Sequence, residues 1–398
     1  MAGDLDITDP LDILTTPING IAPIMTIDAS HLEDRVFDVH PRVRVTMSNL
    51  IIQNGQLGDG GVGIRNQGNL DLSNVIVRFN KSLSRGGGIE NAGILTLVNS
   101  TIGGNETAAS DGIYPTKGGG IWNEGRLRLI DSSVSDNVSD VGGGIFNSSS
   151  ATDTVDIVRS TVSRNDARLG LGAGLHNEAG PNVPVYIENS TFSGNHAYQG
   201  AFHGGAIWND GTIGLLHSTV HDNLSGLHAD ANGAFILVNT IIAEKYSYSC
   251  TGSGIFSTIG RNLDSDNTCQ LNPAIGDIPG VDPLLGPLQS NGGPTETHAL
   301  LAGSPAIDAA DSTFCLPIDQ RGIARPQGAG CDIGAYELPA RRVPRGESAE
   351  NGRQHLFLED QCPLLARCAL PGAVFIRAPL LSSSFGFSVR IGRTCDGV

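Results

Sequence analysis

Six stretches of this chain read Gly-x-Gly, or Gly-Gly-Ala in the last, followed by Ile or a close relative, one variable residue and Asn. The variable residue is Arg65, Glu90, Trp122, Phe146, His176 and Trp208 in turn. In an extended strand the aliphatic before it faces inward, so the variable residue faces outward, one per repeat. Further along each repeat a second outward column holds Asp71, Thr96, Arg128, Asp156, Tyr186 and Gly214. Both tryptophans of the protein fall in the first column. Aromatic rings exposed in a row form a platform on which sugar rings stack, and Arg128, Asp156 and Tyr186 beside it would supply hydrogen bonds. The competing reading is that aromatics on successive repeats stack on one another and stabilise the fold.

Enzymatic chemistry has weaker anchors. A polysaccharide lyase needs a base, Arg or Lys, beside acids that bind Ca²⁺ and acidify the α-proton. Arg65 with Asp59 and Asp71 is the best set for that. A hydrolase needs two carboxylates roughly 5 to 9.5 Å apart. Asp59, Asp71 and Glu90, or Asp156, Glu178 and Asp210, would have to provide them. Six histidines crowd residues 176–228, and His217 and His221 are four apart. They fall on a strand and corner rather than a helix, so they make no metalloprotease pair, and no metal site is expected. There is no nucleophile elbow, phosphate loop or dinucleotide fingerprint.

The elements that must position these residues come from the repeat itself. The Asn that closes each phrase falls at 66, 91, 123, 147, 177 and 209, a period near 25 with inserts. Between these points the apolar residues alternate, as in Leu95 and Leu97 or Leu127 and Leu129. Short strands with one buried face, ended by corners and repeated at a fixed period, make an all-β solenoid, the parallel β-helix. Gly and Asn suit the corners because both enter the left-handed region readily. Asn66, Asn91, Asn123, Asn147, Asn177 and Asn209 are expected to form a structural ladder from coil to coil.

Of 398 residues, 53 are Gly, 5% are aromatic and 17% are charged, which fits a solenoid with a thin aliphatic core. The net charge is −16, and the Arg-rich end from Ala340 onward leaves residues 1–339 still more acidic. Such a surface repels nucleic acid and anionic membranes. Lys81, Lys117 and Lys245 are the only lysines, too few for a basic groove. No apolar stretch is long enough for a transmembrane helix. The sequence opens in mid-pattern with LDITDPLDI, so a preceding cap and export signal are expected to have been lost. Of seven cysteines, Cys250 with Cys269 and Cys315 with Cys331 flank loops and are disulfide candidates, which implies an oxidising compartment. Cys362, Cys368 and Cys395 have no assigned partner.

After the repeats come CTGSGIFSTIGRNLDSDNTC (250–269), NGGPTETHALLAGSPAIDAAD (291–311) and DQRGIARPQGAGCDIGAYE (319–337), each once. With the GGGIxN phrases, they make residues 4–338 resemble the bacterial choice-of-anchor Q proteins. Those are exported right-handed parallel β-helix proteins akin to polymorphic outer-membrane and pectate-lyase-like repeats. The resemblance implies export and residence at the surface or outside the cell. Physically, residues 1–249 read as repeats and 250–338 as last coils and an irregular plug. Within the plug Asp308, Asp319, Arg321, Arg325, Asp332 and Glu337 are placed to pair. Residues 339–398 share nothing with the repeats and read as a disordered or non-native tail. The expected function is a binding or adhesion module, with glycans as partner. A polysaccharide-degrading enzyme using Ca²⁺ is the alternative, and a plain structural spacer the third possibility.

Overall fold

The computed structural model describes residues 4–15, 24–32, 34–108, 114–198 and 204–340. The expectations about residues 341–398, with Cys362, Cys368 and Cys395, fall outside these. The chain divides into Met1–Arg342 and Val343–Val398, and every described element belongs to the first unit.

Three parallel sheets run the length of the unit, each with ten strands among the described residues. Face one runs from Leu5–Ile7 to Cys250–Gly252, face two from Leu11–Ile13 to Ile255–Thr258, and face three from Met25–Asp28 to Leu263–Asp264. A fourth, narrower face of six strands begins at Gln56–Leu57 and ends at His196–Ala197. Each strand pairs with the equivalent strand one coil on, so the chain forms a parallel β-helix with coils roughly 4.8 Å apart. Inward positions are aliphatic and fully buried, as with Leu70, Leu95, Leu127, Val155, Val185, Ile213 and Phe235 on face two.

Polar ladders hold the corners. The six phrase asparagines are completely buried, and each Nδ2 donates to the Oδ1 one coil on, at 2.7–2.8 Å from Asn66 to Asn209. They do not occupy the left-handed region, contrary to the corner argument; they end face-one strands with the side chain turned inward. Left-handed backbone belongs instead to the first Gly of each run, φ 53–66° from Gly61 to Gly204, and to Asn99, Asp131, Arg159, Asn189 and His217. A Cβ on Gly204 would lie 2.3 Å from the Ile207 carbonyl oxygen, so that glycine is obligatory.

A second ladder, not singled out in the sequence, runs through Asn80, Asn105, Asn137, Asn165, Asn195 and Asn223. Here each Oδ1 accepts both the backbone and the side-chain N–H of the previous rung. A third, made by hydroxyls, links the backbone N–H of Ser100, Ser132 and Ser160 to the Oγ of the serine one coil further on. The second ladder ends on Glu244, whose two oxygens accept from Asn223 N at 2.6 Å and Nδ2 at 2.9 Å.

Residues 283–338 do not plug the last coil. They fold back along the outside of face three, where the outward residues Thr161, Ser163, Thr191, Ser193 and Thr219 are small and hydroxylated and leave room for a covering segment. Thr161 Oγ1 donates to the Glu296 carbonyl, Thr191 Oγ1 to Gln320 Oε1, and Thr219 Oγ1 accepts from Ala335 N. His298 bridges Ser193 Oγ and the Gly286 carbonyl. The strap has its own apolar cluster, in which Leu300, Ala306, Ile333 and Tyr336 pack on Ile241 and Ala243 of face three. Two buried ion pairs stiffen it, Arg321–Asp319 at 2.6 Å and Arg325–Glu337 at 2.9 Å. Asp308 and Asp332 instead accept backbone N–H groups, from Gly330 and Asp308. Disulfides join Cys250 to Cys269 and Cys315 to Cys331.

Burial pushes the Glu244 carboxyl up to about 8 against the two Asn223 hydrogen bonds. A raised carboxyl contributes stability that is complete below its unfolded value and is lost as pH rises through the folded one. Burial lowers His298 to about 4, the opposite flank: its contribution is complete above the unfolded value of 6.5 and lost as pH falls through 4. Comparing the thermal midpoint of Glu244→Gln with that of the wild type should therefore favour the variant progressively from about pH 5 to about pH 9. A difference independent of pH would show that Glu244 does not titrate in this range.

Candidate functional site

The first outward column is continuous in register from Asp38 through Arg65, Glu90, Trp122, Phe146, His176 and Trp208 to His228. It is not an exposed platform. Trp122 is 5% exposed, Phe146 1% and His176 2%, while Trp208 and Arg65 are half-buried. The coil spacing closes the rings on one another: Phe146 and His176 stack with centroids 5.1 Å apart, His176 and Trp208 at 4.1 Å. A ridge covers the rest. Arg85, Lys117 and Val141, each just before a Gly run, pair as parallel bridges, and Val141 and Leu171 pack against Trp122 and Phe146. The Arg85 guanidinium lies 4.3 Å over Trp122, and the Lys117 ammonium 4.4 Å over Phe146.

Beside this ridge is a cleft of 430 Å³ lined by Leu83–Arg85, Tyr114–Lys117, Trp122 and Phe146. Ser148, Ser149 and Glu178 line it further along. Tyr114 is 78% exposed. Each cation has a carboxylate: Arg85 bonds Glu90 at 3.1 Å, and Lys117 bonds Glu178 at 3.3 Å. Burial pushes the Glu90 carboxyl up, and Arg85 opposes it. At Glu178, burial also works upward but is outweighed by the His176 ring, 3.4 Å away, and by Lys117, which together hold the carboxyl below its usual range. Burial lowers His176, against the hydrogen bond and charge of Glu178. The cleft thus offers an aromatic edge, hydroxyls and two cation–carboxylate pairs. Its grouping of Arg85, Tyr114, Lys117 and Glu178 escaped the sequence reading. The available signal was the position just before each Gly run.

The trio Arg65, Asp59 and Asp71 is not brought together. Arg65 grips Asp38 on the preceding coil through both Nε and Nη2. Asp71 lies on face two, where Arg44 is 3.5 Å away, and Asp59 accepts the N–H of Gly60 in its own turn. These residues are near one another in sequence, but the corner at Gln67 and Gly68 turns Asp71 onto a different face from Arg65, and Asp59 stays in the turn before face one. Among the described residues one group of acids and histidine gathers ligand atoms within 4.8 Å: Asp6, Asp38 and His40. There Asp38 is already neutralised by Arg65 and Arg35. Neither Asp59 nor Asp71 belongs to it, so the residues present do not fit the Ca²⁺ arrangement expected of them.

On face two the second column does face outward. Asp156 forms an ion pair with Arg128 Nε at 3.4 Å, with Arg126 at 4.0 Å, and Tyr186 on the next coil is 52% exposed.

The crystal structure of pectate lyase Pel9A is similar to this chain over 82% of each, at 16% sequence identity and a TM-score of 0.44. No protein-family model matches the chain. No curated protein matches it either.

Because its ring is packed inside the ridge, Trp122→Ala should cost about 3 kcal/mol of stability in urea unfolding, whereas Tyr114→Ala should stay within about 0.5 kcal/mol. Equal, small effects would mean that the first column is exposed after all.

Proposed function

We propose that this chain is an exported surface or secreted β-helix that binds glycans, with its contacts centred on the cleft above Trp122 and Phe146. The observation that carries the reading is the cleft's composition: the exposed ring of Tyr114 beside Ser148, Ser149 and the Arg85–Glu90 and Lys117–Glu178 pairs. Aromatic edges with convergent donors and acceptors suit a ring that is apolar on its faces and hydroxylated at its rim. Since both cations are already paired and the chain carries −16, neutral or mixed glycans fit better than strongly anionic ones. The same charge opposes nucleic acid and anionic membranes as partners.

Export is supported by the two disulfides. No helix among the described residues is long and apolar enough to cross a membrane. A second reading, a polysaccharide lyase, is favoured by one observation: Lys117 lines the cleft, and its amine, once released from Glu178 and deprotonated, would be the base. The binding reading needs no cofactor, whereas a lyase would bring Ca²⁺.

The protein should be sedimented with insoluble neutral and acidic polysaccharides, with and without Ca²⁺, while unsaturated and reducing ends are assayed. Binding without release is expected, weakened by about tenfold in Tyr114→Ala and Lys117→Gln. Release of unsaturated ends would establish the lyase instead. Undiminished binding in both variants would remove the cleft from the account.

A further inference from the structure

Face two changes character along its length. Its outward residues are Arg44, Thr46, Ser48, Asn69, Asp71 and Ser73 in the first coils, include Ile94, Val98, Ile130 and Val158 among polar neighbours in the middle ones, and reach Leu216, Ile236, Val238 and Ile255 beside Thr212, Ala234 and Ser257 in the last. A solvent-facing sheet surface ordinarily stays polar, and an apolar patch on it marks an interaction site. Within this patch lies a notch of 310 Å³, walled by Tyr186, Leu216, Ile236, Val238 and Phe314, with Glu188 at its rim. Phe314 comes from the strap, 128 positions beyond Tyr186, so two distant parts of the chain each bring an aromatic ring to one cavity.

Gly214 opens the notch. It continues the column of Asp156 and Tyr186 on the next coil. A Cβ built on it would meet nothing nearer than Tyr186 Cδ1 at 3.9 Å, and its φ is ordinary. The other strand glycines of the three long faces are tighter: a Cβ on Gly103 would be 3.3 Å from Ser135 O, and on Gly252 1.9 Å from Ala229 O. The fold therefore does not require glycine at 214, although glycine weakens a strand. What glycine does there is leave space between Tyr186 and Ile236.

We propose that this notch binds a compact aromatic ligand whose other end carries a hydrogen-bond donor or a positive charge. The ring would lie between Tyr186 and Phe314, and the donor would face Glu188. The choice of end follows from charge: Glu188 is half-buried with Arg159 and Asp156 both near it, Arg159 is already gripped by Asp131 at 2.7 and 2.8 Å, and the chain as a whole is acidic. An anion of the same size would be repelled, and a cation would gain from both the carboxylate and the aromatic faces. The site is on a different face from the Trp122 cleft and does not depend on the glycan reading.

Tyramine is the probe, titrated calorimetrically into the full chain beside benzoate and methyl β-glucoside. Saturable tyramine binding is expected, with benzoate weaker. Gly214→Val fills the notch and should reduce tyramine affinity by about tenfold or more without lowering the melting temperature. Phe314→Ala removes a wall from outside the solenoid and should weaken binding even if the valine variant fails to fold. The proposal is overturned if wild type shows no saturable tyramine binding, if both variants bind as wild type does, or if methyl β-glucoside binds more tightly than tyramine.

Discussion

A carboxamide buried where no water reaches must find its hydrogen bonds within the protein, and in this chain it finds them one coil away. Each Asn from Asn66 to Asn209 donates to the next, and the Asn80 to Asn223 series does the same with its backbone N–H as well. Leaving such a group unpaired costs about 1 to 3 kcal/mol, so a slip of two residues in any coil would be penalised at several corners together. The aliphatic core is indifferent to such a slip as long as the alternation is kept. The ladders, together with the left-handed corners, are what keep equivalent residues over one another.

The surface features depend on that fixed register. Rings at equivalent positions are brought within stacking distance whether or not a ligand is present, so Phe146, His176 and Trp208 bury one another. The position before each Gly run is likewise stacked into a ridge, which lays Arg85 and Lys117 over the rings and leaves the cleft beside them. On face three the same repetition yields rows of Thr and Ser hydroxyls, to which the strap binds through Gln320, Glu296 and His298. On face two it lets a single unneeded glycine open a notch in an otherwise regular column.

The parallel β-helix was legible because its cause is periodic: an inward aliphatic at every second position and an Asn about every 25 residues. The second Asn series recurs as regularly, 14 or 18 positions after each phrase Asn, yet nothing local shows that Asn80 or Asn105 turns inward. Alternation placed Trp122, Phe146 and His176 outside the barrel, which is where they are, but solvent exposure depends on the neighbouring ridge. Arg65, Asp59 and Asp71 looked like a cluster because they are close in the chain; a corner between them sends them to separate partners. The strap had no period to read. Its contacts with Thr161 and Thr191 bridge about 130 residues, and its Gly- and Pro-rich sequence carries no sign of which surface it covers.

The most direct test is to remove one rung. Asn147 is fully buried, accepts from Asn123 at 2.8 Å and donates to Asn177 at 2.7 Å. If the ladder holds the coils in register, Asn147→Ala should lower the free energy of unfolding in urea by about 2 to 4 kcal/mol, because a donor on one side and an acceptor on the other are stranded. A loss below about 0.5 kcal/mol, the level of an ordinary surface substitution, would show that the aliphatic core alone sets the register.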